Sequence, residues 1–427
     1  MISLNSNSLI FQFPEIHSDA KCSINFQRTL RIPDDGKKYE LPPGLGKFPI
    51  QHVDDFASVL PEEWLIRGGV IIPMHNSEAL WIDFRSNGYP FAIKIGTGKI
   101  NAITGEKFKR HLNSDPQDYL IIPDQPWIDG YNVDKGVIRQ FVAMPLGEGY
   151  SAEEQITGSG EYGGIQISVC PMKVNRYEAL QKKRHTKRRK MRNDNINNLL
   201  KEMNKAIRNI VETTTHSAEG ITTELDKFAR ELCSKDDLSG ISQRLKSILD
   251  YFRNDLQSSI NSDFQRIEGI INEFRDTVIE RSSLPCASKV SQMPSIGLSP
   301  GGKMHQEIYT DKYGLDAWDQ RNISRCFVAI TNSSVWKAIT KMDPPTKPFT
   351  AQDYNKKKLP WFDYYDSHLE AVEEASILKE LKSIIEMSKS KGDIPIADNE
   401  TLNEENVITL TKKETRLVRE NFLPVVD

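Results

Sequence analysis

Residues 164–192 read GIQISVCPMKVNRYEALQKKRHTKRRKMR, and the chain changes character within them. The first six residues carry the β-branched, Gly-punctuated signature of a strand. From Lys173 to Arg192 there are then ten Lys/Arg residues and a single acid, Glu178, a local charge of +9. Beyond this run a different periodicity takes over. The fold follows from what lies on either side of the switch.

Upstream, residues 1–172 alternate β-branched or aromatic runs with Gly, Pro and Asn, with little helical period. Strands are expected at 24–30, 69–73, 79–84, 91–95, 119–122, 138–144 and 164–169. Several are nearly continuous in apolar residues, as strands covered on both faces require. Residues 54–65 form a short helix or turn with Trp64 directed inward.

Downstream, Ile196, Leu199, Leu200, Met203, Ile207, Ile210 and Val211 recur at spacings of three, four and seven, one face of a helix. After a second segment at 221–232, twelve apolar positions from Leu238 to Val278 advance about 3.6 residues per step, the period of a straight helix. Such a helix extends roughly 60 Å, at 1.5 Å per residue. Its apolar seam needs a partner, either residues 195–232 folding back or a second copy of the chain.

Beyond Pro285 the turn-rich pattern returns, with glycines and proline at 297–302, a strand near 326–330 and a short helix through Trp336. Residues 343–349 hold three prolines and exclude regular structure. A helix is expected from 367 to 387. From Asp363 onward fifteen acids face eight bases.

The expected fold class is α+β: a turn-rich, β-dominated core with an inserted long-helix, coiled-coil-like arm and a C-terminal helix. Residues 1–175 and 291–366 are the two halves of the core, 176–290 the arm, and 367–427 the C-terminal helix and acidic tail.

At 427 residues and 38 % apolar content the chain can bury a substantial core. Its formal charge of −3 gives no general attraction for polyanions, so any electrostatic function is local. Five scattered cysteines form no CxxC pair and no zinc spacing; they read as reduced thiols, and neither a metal nor a cofactor is expected. No basic n-region precedes an apolar run, and no stretch nears the ~18 apolar residues of a membrane span. A cytoplasmic location follows.

Candidate chemistry is sparse. The segment Lys94-Ile-Gly-Thr-Gly-Lys99 suggests phosphate binding, since glycines open backbone N–H groups to an anion. It lacks P-loop spacing, and a hairpin turn is the better reading. The run Ser299–Lys303 carries the same ambiguity, with Lys303 as its cation. His305 and Glu307, two apart, share a face if they lie in a strand, and such a pair can serve acid–base chemistry. Arg139 and Gln140 interrupt an apolar strand; buried, they need partners, for which Glu154 and Gln155 are candidates, or Arg139 faces a ligand pocket. Lys182, Lys183, Arg184, Arg188 and Arg189 form the densest cationic run. It can meet phosphates, though without interleaved aromatics nucleic acid is the lesser reading.

Longer segments carry a resemblance: RTLRIPDDG with LPPGLGKFP, RGGVIIPM with SEALWIDF, KIGTGKINAITGE, DYLIIPDQPWIDG, GVIRQFVAMPLGEGY with AEEQITG, LSPGGKMHQEIY, SRCFVAITNSSVW and LPWFDYYD. Over roughly 10–173 and 296–390 the chain resembles a family of uncharacterised conserved bacterial and fungal proteins. The resemblance supplies no activity and no site. It implies that the PMK and LSPGG segments are normally joined by a much shorter connection, so that 176–290 is an insertion into one domain.

Three functions are consistent with these readings. The first is a non-enzymatic interaction or scaffold protein, with a ligand- or partner-binding core and association through residues 195–280. The second is an enzyme with a polar pocket around Arg139, His305 and Glu307, joined by Arg67, Glu78, Lys94, Lys99 and Gln140. The third is a nucleic-acid-associated protein acting through 182–192.

Overall fold

The computed structural model describes residues 1–186, 190, 295–364, 369–393, 402 and 407–410. By contact the chain divides into two units, Met1–Tyr177 with Leu284–Asp427, and Glu178–Ser283. The proposed coiled-coil arm lies almost entirely outside the described residues, as do Arg188 and Arg189. Residues 174–186 are helical, with Lys182 and Lys183 exposed on the helix and Arg184 half-buried. The rest of this description concerns the first unit, an α+β body.

Its strands are β1 (Ile2–Asn5), β2 (Ser8–Gln12), β3 (Lys21–Thr29), β4 (Lys38–Tyr39), β5 (Gln51–His52), β6 (Val70–Met74), β7 (Ala79–Ser86), β8 (Phe91–Thr97) and β9 (Ile100–Asn101). They continue with β10 (Leu120–Ile122), β11 (Trp127–Ile128), β12 (Gly130–Asp134), β13 (Val137–Pro145), β14 (Ile165–Pro171), β15 (Ile296–His305), β16 (Ser324–Asn332), β17 (Trp361–Tyr364) and β18 (Val407–Leu410). One sheet runs β1-β2-β3-β7-β13-β15-β4, with β11 on β7 and β12 on β13. The second runs β10-β8-β14-β16-β6-β5, with β9 on β8. Pairing is antiparallel within both sheets except where β4 joins β15 and β6 joins β16.

The expected strands are present within a few residues of their expected bounds. All of β6 and β8 is buried, and β13 is buried up to Pro145, which accounts for their unbroken apolar runs. Strands before residue 172 and after residue 295 are neighbours: β15 pairs β13, and β16 pairs β14. A β1–β2 hairpin was not anticipated. Its two-residue loop, Ser6 and Asn7, has φ of 48° and 56°, the twist that a tight hairpin needs and that Asn tolerates.

Large aromatics fill the interior. Trp81 and Trp127 meet edge to face at 6.0 Å, in a cluster with Leu30, Tyr354 and Trp361. A second cluster packs Phe56 and Trp64 against Ile71, Trp336 and Ile339. Each such side chain contributes about 1.5–3 kcal/mol by leaving water. Trp64 comes from the short helix α1 (Glu62–Arg67), and Trp336 from α3 (Ser333–Thr340); α2 (Ala152–Thr157) lies between them in sequence.

Two expectations are corrected. The glycine-rich stretch at 297–302 is not a turn but the middle of the ten-residue strand β15. Its glycines serve close approach: a Cβ on Gly302 would lie 2.4 Å from the Pro33 carbonyl oxygen. The helix expected over 367–387 is broken. Within it, the backbone around 370–372 is extended against 308–310, with Thr310 N–H donating to Glu370 and Val372 N–H to Ile308. Among the described residues after the short α4 (Ala351–Lys356), helix therefore forms only in α5 (Ser376–Lys379) and in α6 (Ile384–Lys391), which starts anew on a capping box of Ser383 and Glu386. Among the described residues no helix is long and apolar enough to cross a membrane.

Candidate functional site

The polar residues singled out from the sequence do not form one pocket. Arg139 is held inside the protein: Nη1 donates to the Gly301 carbonyl at 3.2 Å and to Asp34 Oδ1 at 3.5 Å, and Nη2 to Glu386 Oε2 at 3.0 Å. Its partners are thus Asp34 and Glu386, not Glu154 and Gln155. Glu154 instead closes its own capping box and accepts from the N–H groups of Gly147 and Gly149, while Gln155 bonds to Tyr150 and Lys382. Gln140 is consumed by the backbone of Leu30 and Ile32.

His305 is the exposed last residue of β15, so Glu307 lies beyond the strand and the two do not share a strand face. Burial raises the Glu307 carboxyl above its ordinary value, with Lys135 opposing and Asp363 reinforcing. Lys303 sits opposite Arg139 in the β13–β15 register, half-buried.

The KIGTGK segment is the β8–β9 hairpin. Its glycines accommodate side chains rather than an anion. A Cβ on Gly96 would lie 2.4 Å from the Phe108 ring, and one on Gly98 would lie 2.1 Å from Glu153 Oε2. Lys94 is buried, donating to Asp118 Oδ2 and to the His111 carbonyl, each at 2.6 Å. Burial lowers the Lys94 ammonium and raises the Asp118 carboxyl, and the ion pair opposes both. A second buried pair, Arg28 with Glu78 at 2.6 Å, fastens the proline-rich segment through Thr346. Glu78 is pushed up by burial against the pull of Arg28.

Cations do converge elsewhere. The hairpin turn brings Lys99 to a cleft of ≈ 840 Å3 over one face of the second sheet, shared with α1, β14 and β16. It is lined by Arg67, Lys99, Lys107 and Arg325 against two acids, Glu63 and Glu161. The Arg67 guanidinium lies 4.3 Å from the centroid of the Tyr162 ring and 5.4 Å from that of Phe327. It donates to the carbonyls of Glu161 at 3.2 Å and Tyr162 at 3.3 Å. Lys99 pairs with Glu161, and its Nζ stands 5.3 Å from the Tyr162 ring. Under the 161–163 turn, the buried carboxylate of Glu153 accepts from Tyr162 and Gly163 N–H and fixes the loop.

Of these residues, sequence reading had marked Arg67 and Lys99 as polar candidates and missed Lys107, Tyr162, Arg325 and Phe327. The spacing of Arg325 and Phe327 was a usable signal, because residues two apart in a strand share a face. Register then sets Gln166 opposite Phe327, and both line the cleft. A second cleft of ≈ 820 Å3 around Trp318 balances Lys173 and Arg321 against Asp316 and Asp319, leaving no net field to select a charged ligand. Cys22, Cys170 and Cys326 are buried thiols, each raised by burial. Among the described residues no His, Cys, Asp or Glu group is arranged to hold a metal ion.

Compared with protein-family models, with curated proteins and with solved structures, the chain matches none.

Proposed function

We propose that the protein is a non-enzymatic interaction protein whose core captures an acidic ligand or partner in the Arg67–Arg325 cleft, while the inserted segment mediates association. The observation that carries this reading is the excess of cations over acids around one concave, aromatic-walled surface. The enzyme reading loses support because Arg139 is internally paired and neither His305 nor Glu307 lines that cleft. On the same reading the chain is cytoplasmic and belongs with the conserved bacterial and fungal proteins it resembles.

The test is calorimetric titration of the full chain with citrate at low ionic strength, beside a Lys107→Glu/Arg325→Glu variant. Salt-sensitive binding that the variant loses is expected. Equal citrate binding by both proteins, or failure of the full chain to bind any small anion at low salt, contradicts the cleft. Association is read from solution mass: an oligomer for the full chain, and a folded monomer when 176–290 is replaced by a short Gly/Ser linker. Two monomers contradict an associating insertion.

A further inference from the structure

We infer that the cleft takes an aromatic phosphate monoester, a doubly charged phosphate carried on a flat ring system of mononucleotide size. The inference rests on the cleft being a binding surface, and names what it selects.

The first observation is how the cations are used. Arg67 is held in plane by two backbone carbonyls, and Lys99 is neutralised by Glu161. Lys107 and Arg325 have no carboxylate within ion-pairing distance among the described residues; Arg325 reaches only Gln166 Oε1, at 3.4 Å. Four cations against two acids leave the lining with two positive charges in excess. A phosphate monoester carries close to two negative charges near neutral pH, with three acceptor oxygens, whereas one carboxylate carries a single charge. Arginine meets phosphate through a planar fork, which suits Arg325 to this partner.

The second observation is the wall. Tyr162 is 38 % exposed and Ile66 77 % exposed, both lining the cleft beside Phe108 and Phe327. The Tyr162 ring is itself set in position by Arg67 beside it and by the backbone hydrogen bonds of its loop to Glu153. A pre-set ring next to two cations without a carboxylate at ion-pairing distance is suited to a ligand that joins a flat apolar group to an anion. The volume of ≈ 840 Å3 falls within the range of pockets that hold such molecules.

The experiment titrates the full chain with AMP, phenyl phosphate, inorganic phosphate, adenosine and citrate. AMP and phenyl phosphate are expected to bind about tenfold or more tighter than inorganic phosphate or adenosine, the increment that one stacked ring supplies. AMP binding tighter than phenyl phosphate identifies a nucleotide as the source; equal binding identifies any aryl phosphate. Tyr162→Ala should remove the advantage over inorganic phosphate and Tyr162→Phe should keep it, with unchanged thermal midpoints confirming that both variants fold. Inorganic phosphate binding as well as AMP overturns the aromatic half, and citrate binding with no phosphate bound overturns the phosphate half; both leave an acidic-ligand cleft standing. Absence of all anion binding at low salt overturns the inference and the cleft together.

Discussion

The ammonium of Lys94 and the carboxylate of Asp118 meet at 2.6 Å with neither side chain more than 8 % exposed. Desolvation opposes both charges, so each depends on the other. Lys94→Met leaves Asp118 buried and uncompensated, a loss of about 3–5 kcal/mol of stability. The double variant Lys94→Met/Asp118→Leu recovers most of it, since no buried charge remains. Urea unfolding of the three proteins checks this. A Lys94→Met variant as stable as the parent removes the pair from the list of what holds the core.

The Arg139–Glu386 pair ties α6 to β13, and its acid response has a definite sign. Burial acts to raise the Glu386 carboxyl, but the Ser383 backbone N–H, Arg139 and the Ser383 hydroxyl together hold it below the ordinary 4.5. A depressed folded-state pKa gives stability that is complete above 4.5 and is lost as pH falls through the depressed value. Glu78, Asp118 and Glu153 are raised, so their contributions run the other way and a global melt mixes the two. The local readout is hydrogen exchange over Ile384–Lys391, where protection relative to the intrinsic exchange rate at each pH should fall below pH 4.5. Glu386→Gln should show that loss of protection at neutral pH. Because the Glu386 side chain is half exposed, the global cost stays under about 1 kcal/mol.

The buried thiols should be inert. Burial pushes Cys326 up to about 12 and raises Cys22 and Cys170 further. In a Cys233→Ser/Cys286→Ser background, a thiolate-selective reagent at about pH 8 should label none of the three until denaturant is added. Rapid native labelling of Cys326, which borders the cleft, would contradict its buried placement.

Gly98 has φ of +55°, and a Cβ there collides with the buried Glu153 carboxylate. Gly98→Ala should cost about 1–3 kcal/mol from backbone strain, with the collision added. Loss of order at 161–163, seen as faster amide exchange, should accompany it, because Glu153 holds that turn.

The body of the fold was legible wherever one physical requirement governed a segment. Strands β6, β8 and β13 are buried on both faces, and continuous apolar runs such as VIIPM announce this. The β1–β2 hairpin was missed because its signal is two polar residues at positive φ, which Ser-Asn marks weakly. Gly301 and Gly302 misled in the other direction: glycine marks a turn or a close backbone approach, and only distant segments decide which, Gln140 and Val142 beside Gly301 and Ile32 and Pro33 beside Gly302. The helix expected over 367–387 failed because its apolar spacing is shared by an extended segment that pairs with 308–310. Arg139 was correctly expected to need partners if buried. Those partners, Asp34 and Glu386, come from segments 105 and 247 residues away, beyond anything local spacing encodes. The cleft was half visible, through Arg67 and Lys99, and its other cations are joined to them only by the β14–β16 register and the 161–163 turn.

The most direct test of the cleft is hydrogen–deuterium exchange of the full chain with and without saturating AMP. A ligand in this cleft should slow exchange in three separated segments, 62–68, 161–167 and 325–327, with little change around Arg139, His305 and Glu307. Protection confined to other segments, or no protection from AMP in a chain that binds it, would contradict that placement.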